Sequence, residues 1–70
     1  MNANQVAQKI RNEIKKTGTN PKGMVSVRNT DYSTMIEFNL RGLYGEDLER
    51  VEDFINDLPE SDEYGFDNVG

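Results

Sequence analysis

The stretch "MVSVRNTDYSTMIEFNLRG", Met24 to Gly42, decides the fold. Apolar and polar residues alternate on both sides of Asn29-Thr30-Asp31, residue types that favour a turn. Side chains along a strand point to opposite faces in turn. Val25 and Val27 therefore share a face in the first run, and Ile36, Phe38 and Leu40 share one in the second. The other face takes Ser26, Arg28, Glu37, Asn39 and Arg41, with Met24 and Met35. A sheet with one apolar and one mostly polar face is covered on one side only. The alternation predicts strands from about Met24 to Arg28 and from about Ser33 to Arg41.

The cover lies on either side of this hairpin. Ala3, Val6, Ala7, Ile10 and Ile14 recur at steps of three and four residues, the apolar stripe of a helix. Asn2 or Asn4 can cap its start, and Gly18 is a natural left-handed stop after Lys15 and Lys16. Leu48, Val51, Phe54, Ile55 and Leu58 repeat in the same way, with Glu46 and Asp47 in the favourable first turn and Pro59 ending the run. The expected fold class is α+β, in the order α-β-β-α, with two helices packed on one face of a two-stranded antiparallel sheet. Residues 1–58 form the single domain, and 59–70 are an acidic tail expected to be mobile. Docking of Tyr64, Phe66 and Val69 as a short third strand is the alternative. The expected interior is Val6, Ile10, Ile14, Val25, Val27, Ile36, Phe38, Leu40, Leu48, Val51, Ile55 and Leu58.

Composition narrows the chemistry. Seventy residues hold one small domain with a modest core. With neither cysteine nor histidine, disulfides and the usual zinc ligand sets are out of reach, so no metal and no cofactor is expected. A serine or threonine nucleophile would lack its customary histidine base. Gly42 and Gly45 do not make a phosphate loop, and the carboxylates from Asp57 to Asp67 do not follow the spacing of an EF-hand. An enzyme is not expected. No apolar run approaches the roughly 20 residues that span a bilayer, and the N-terminal stretch lacks a signal-peptide core. The chain reads as a soluble, cytoplasmic protein with no membrane partner.

Charge is the strongest functional signal. Residues 1–41 carry seven basic against three acidic side chains, and residues 42–70 carry one against ten. A field this lopsided can steer a basic partner toward the second half. Glu49, Asp53 and Asp57 follow one another at four-residue steps on the second helix, a spacing at which like charges repel. These three with Glu52 are the candidate partner-binding charges, with Tyr44 or Tyr64 as the aromatic anchor. The rival surface is basic: Lys9, Arg11, Lys15, Lys16, Arg28 and Arg41 would bind nucleic acid directly. A third option is a structural or oligomerisation module, since a two-stranded sheet leaves both edges free to pair with another chain.

The order "VAQKIRNEIKK", "VSVRNTDYSTMIEFNL", "VEDFI" resembles a small domain associated with large polyvalent proteins of phages and conjugative elements. The likeness lies in Ile10 and Arg11, in Val25-Ser26-Val27-Arg28, in Tyr32-Ser33, and in Ile36 and Phe38. It implies a mobile-element origin and a bacterial host. By analogy with small acidic proteins of such elements, it suggests an inhibitor of host defence, anti-CRISPR proteins among them. The leading expectation is a non-enzymatic interaction protein that uses its acidic surface to occupy a basic, nucleic-acid-binding site on a host protein. The alternative is a nucleic-acid-binding accessory domain.

Overall fold

The computed structural model describes all 70 residues. The order of elements is α1 (Ala3–Lys15), β1 (Val25–Asn29), β2 (Thr34–Phe38), α2 (Gly45–Asn56) and β3 (Gly65–Asn68). Asn2 and Gln5 form a reciprocal capping box at the start of α1: each backbone N–H donates to the other's side-chain oxygen at 2.9 Å. After α1 the chain turns through Gly18 at a φ of 86°, the left-handed conformation that glycine adopts without penalty.

The hairpin is antiparallel, with Val25 opposite Phe38, Val27 opposite Ile36 and Asn29 opposite Thr34. Its turn is held by Thr30, whose hydroxyl accepts from the backbone N–H of Ser33 at 3.0 Å and whose own N–H donates to the Ser33 carbonyl at 2.8 Å. The strands are shorter than alternation predicts at the C-terminal end of the second run. Pairing continues through the Asn39 N–H, which donates to the Met24 carbonyl at 2.7 Å, and then stops.

The expectation of a two-stranded sheet is corrected. The sheet has three strands in the order β1-β2-β3 and is mixed, because β3 runs parallel to β2. Parallel neighbours need a crossover connection, and α2 supplies it. The driving force is burial: Tyr64 leaves solvent, and Phe66 lands opposite Ile36 on the covered face. Gly65 permits the close approach. A Cβ there would lie 3.0 Å from the Met35 Sδ, so Met35 lies across the bare glycine backbone on the open face.

One continuous core forms where α1 crosses the sheet and α2 leans on α1. Val6, Ile10, Ile14, Ile36 and Val51 are fully buried at its centre. Ala7, Leu43 and Tyr64 join it beyond the expected set. Val27, Phe38, Leu48 and Leu58, expected inside, are only half-buried and pack against its margin. The physical reason is the placing of α2, which rests on α1 and stays more than 8 Å, Cα to Cα, from every strand. Phe38, Leu48 and Leu58 therefore line recesses that open to solvent. No helix is long and apolar enough to cross a membrane.

Candidate docking trough along the second helix and third strand

α2 buries Val51 and Ile55, with Leu48, Phe54 and Leu58 at the margin. At 3.6 residues per turn the opposite side is fixed by that choice. Glu46, Glu49, Asp53 and Asp57 fall on the outward face, and Glu52 falls on the flank. All five are exposed. No ion pair involves any of the ten carboxylates between Glu46 and Asp67, all of which are exposed. The one cation of that half, Arg50, turns away from them and pairs with Glu13 on α1, Nε to Oε1 at 3.0 Å.

Glu13 is the junction of the two helices. It also meets Lys16 at 3.4 Å, and its side chain is only 16% exposed. Burial alone would raise its pKa. Hydrogen bonds from Arg50 and Lys16, and their charges, outweigh that effect and hold the carboxyl below its ordinary value of 4.5.

The α2 helix is charged against its own preferences. Negative side chains are favoured at a helix N-terminus and disfavoured at the C-terminus. Glu46 and Asp47 obey this rule, but Asp57 occupies the C-cap, Asp53 lies one turn before it, and the last turn holds no basic residue.

A trough runs along the same helix. One section is lined by Leu40, Arg41, Leu43, Tyr44, Leu48 and Glu52, another by Phe38, Glu52, Ile55 and Asn56. Asn68 belongs to both. The third section, a recess of about 410 Å³, shares Phe38, Ile55 and Asn56 with the second and continues to Leu58, Glu60, Tyr64 and Phe66. The floor is apolar; Glu52 stands on the wall, Glu60 at one end and Arg41 at the other.

The two tyrosines expected as anchors part ways. Tyr44, at the N-cap of α2, is 78% exposed and borders the first section. Tyr64 is 8% exposed and stacks edge-on against Phe66, ring centroids 5.7 Å apart at 85°. It is a core residue that walls the trough, so of the two only Tyr44 is displayed to solvent.

The six basic candidates are dispersed. Arg11 is half-buried and donates through Nη2 to the Val25 carbonyl at 3.1 Å. Lys16 is drawn to Glu13, and Arg28 faces Glu37 at 3.9 Å on the open side of the sheet. Arg41 Nε donates to the Gly70 carbonyl at 3.4 Å. Lys9 and Lys15 are exposed and without an acidic partner, and the periodicity of α1 places them on different sides of the helix.

The trough residues Phe38, Leu48 and Leu58 are apolar and periodic, so the sequence marks them as core. Asn56 and Asn68 carry no local signal at all. The chain matches no protein-family model, no curated protein and no solved structure.

Proposed function

We propose that this chain is a non-enzymatic interaction module that docks its acidic α2 face and trough on a basic, nucleic-acid-binding surface of another protein. The observation that carries this reading is the set of ten exposed carboxylates, from Glu46 to Asp67, with no cation paired to any of them. Like charges four residues apart on a helix cost about 0.2–0.5 kcal/mol per pair, and α2 accepts two such pairs in Glu49-Asp53-Asp57. Charge kept in this way is available to a partner, where it accelerates encounter and fixes register. The role of inhibitor and the mobile-element origin rest on the resemblance noted in the sequence, and the cytoplasmic site of action rests on its composition.

Direct binding of nucleic acid is the weaker reading, because the six basic residues do not share a face. The test is capture of partners from a bacterial lysate by the tagged chain, followed by competition with DNA and RNA. A partner that binds nucleic acid, releases it on adding this chain, and loses this chain as salt rises is the expected result. A captured partner whose affinity ignores both salt and the paired substitutions Glu49→Lys and Asp53→Lys overturns the proposal. Gel shifts of the purified chain with single- and double-stranded probes at low salt check the rival.

A further inference from the structure

We propose that the free edge of β3 is the docking site for an extended, basic segment of a partner protein, which adds as a fourth strand beside the trough. This rests on the reading that the partner is basic, and it names how that partner is gripped.

The edge is open in a defined phase. The Val69 N–H donates to the Phe38 carbonyl at 2.9 Å. In a parallel ladder alternate residues then face the neighbouring strand, so Gly65, Asp67 and Val69 face β2. The backbone N–H and C=O of Phe66 and Asn68 face outward, and no hydrogen bond outside the ladder engages them. The opposite edge of the sheet is blunted. There the outward carbonyl of Val25 is taken by the Arg11 guanidinium, and α1 packs against β1. Unpaired backbone groups along an edge are what an added strand uses for affinity, while side-chain pockets set its specificity.

Both faces of such a strand meet something definite. On the covered side it would run beside the recess of about 410 Å³ built from Phe38, Ile55, Leu58 and Phe66. On the open side its nearest neighbour is the exposed Asp67, with no cation paired to it. Side chains alternate between faces, so the matching segment alternates apolar residues with lysine or arginine. Residues 51–70 contain seven acidic side chains and no basic residue, which excludes an acidic segment. They also disfavour a second copy of this chain. Antiparallel pairing of two β3 edges about their centre would set Asp67 against its own counterpart, and like charges directly opposite are destabilising.

The experiment uses the full chain and a capped synthetic peptide of alternating lysine and valine. Two control peptides are needed: one of the same composition with lysines and valines in separate blocks, and one N-methylated on alternate amides. The alternating peptide is expected to bind at least about tenfold more tightly than either control. Asn68→Pro removes an outward N–H, along with the side-chain oxygen that accepts from the Gly70 N–H at 3.2 Å, and should abolish that preference, since proline is tolerated at a sheet edge where its nitrogen faces solvent. Asp67→Lys should weaken the alternating peptide and spare the ladder to β2. Equal binding of all three peptides, or an alternating preference untouched by Asn68→Pro, overturns the β3 site. If that happens while Glu49→Lys with Asp53→Lys still weakens every peptide, the acidic-surface reading survives alone. Peptide binding that ignores both sets of substitutions overturns both. Sedimentation of the chain without peptide covers self-pairing: a dimer lost on Asn68→Pro would assign the edge to a second copy and overturn the basic occupant.

Discussion

Ile36 and Phe38 lie two residues apart on the same strand face, yet their surroundings differ. Ile36 is fully buried between β1 and β3, whereas Phe38 is half-buried at the trough. Ile36→Ala is expected to cost about 2–5 kcal/mol, the range for emptying a closed core site. Phe38→Ala should cost less than the usual 3–5 kcal/mol for a core phenylalanine, because water already reaches one side of the ring. Urea titrations of the two variants give the order; a larger loss at Phe38 would show the trough to be closed. Glu13 sets a second residue-scale expectation. Its folded pKa is lowered, so its contribution to stability is complete above the unfolded value of 4.5 and disappears as pH falls through the lower folded value. Glu13→Gln should remove that acid-side loss and lower stability at neutral pH, where the carboxylate holds Arg50 and Lys16. A pH series of thermal melts comparing the two proteins checks it: the gap between them should be widest above pH 4.5 and close as pH falls, and a gap that does not change with pH would separate Glu13 from acid unfolding.

The least local element is the most informative. A chain ending after Glu63 lacks Tyr64 and all of β3, which exposes one flank of Ile36 and leaves β2 with an open edge. Its melting midpoint should fall well below that of the full chain, and the transition should broaden if the hairpin frays. An unchanged midpoint would return residues 64–70 to the status of a tail. That status is how the sequence reads there, for a physical reason. Helix α1 announces itself because Val6, Ile10 and Ile14 repeat within one element, and the hairpin does so because its two strands adjoin in the chain. The register of β1 with β2 follows from the same alternation. β3 pairs with a strand more than twenty residues earlier, across α2, and such pairing leaves no period in the local sequence. Only Tyr64 and Phe66 show any alternation, among Asp62, Glu63, Gly65 and Asp67, which resemble a solvated loop. The trough was hidden with it, since its residues become a site only once α2 stands off the sheet. The acidic stripe of α2 was legible because charge and helical spacing are both local.

At the scale of the whole molecule the charge is divided between the two halves of the chain, and stability and binding should respond to it in opposite directions. The N-terminal half and the C-terminal half differ in sign, yet only Arg50 and Glu13 join them through an ion pair. The acidic half is therefore repelled chiefly by itself. Added salt screens repulsion between exposed charges over a Debye length of about 10 Å at 0.1 M. Moderate salt should raise the melting midpoint of the isolated chain while weakening its grip on a basic partner. Asp53→Lys reproduces both effects at one position. It removes the repulsion with Glu49 and Asp57 and places a cation in the last turn of α2, where the helix dipole favours it. The variant should be more stable than the parent in urea and should bind the basic partner less tightly. Stability gained together with binding lost is the signature of charge retained for recognition. If Asp53→Lys lowers stability, the carboxylate has a structural partner in the fold, and the account of α2 as a displayed acidic face fails at its central residue.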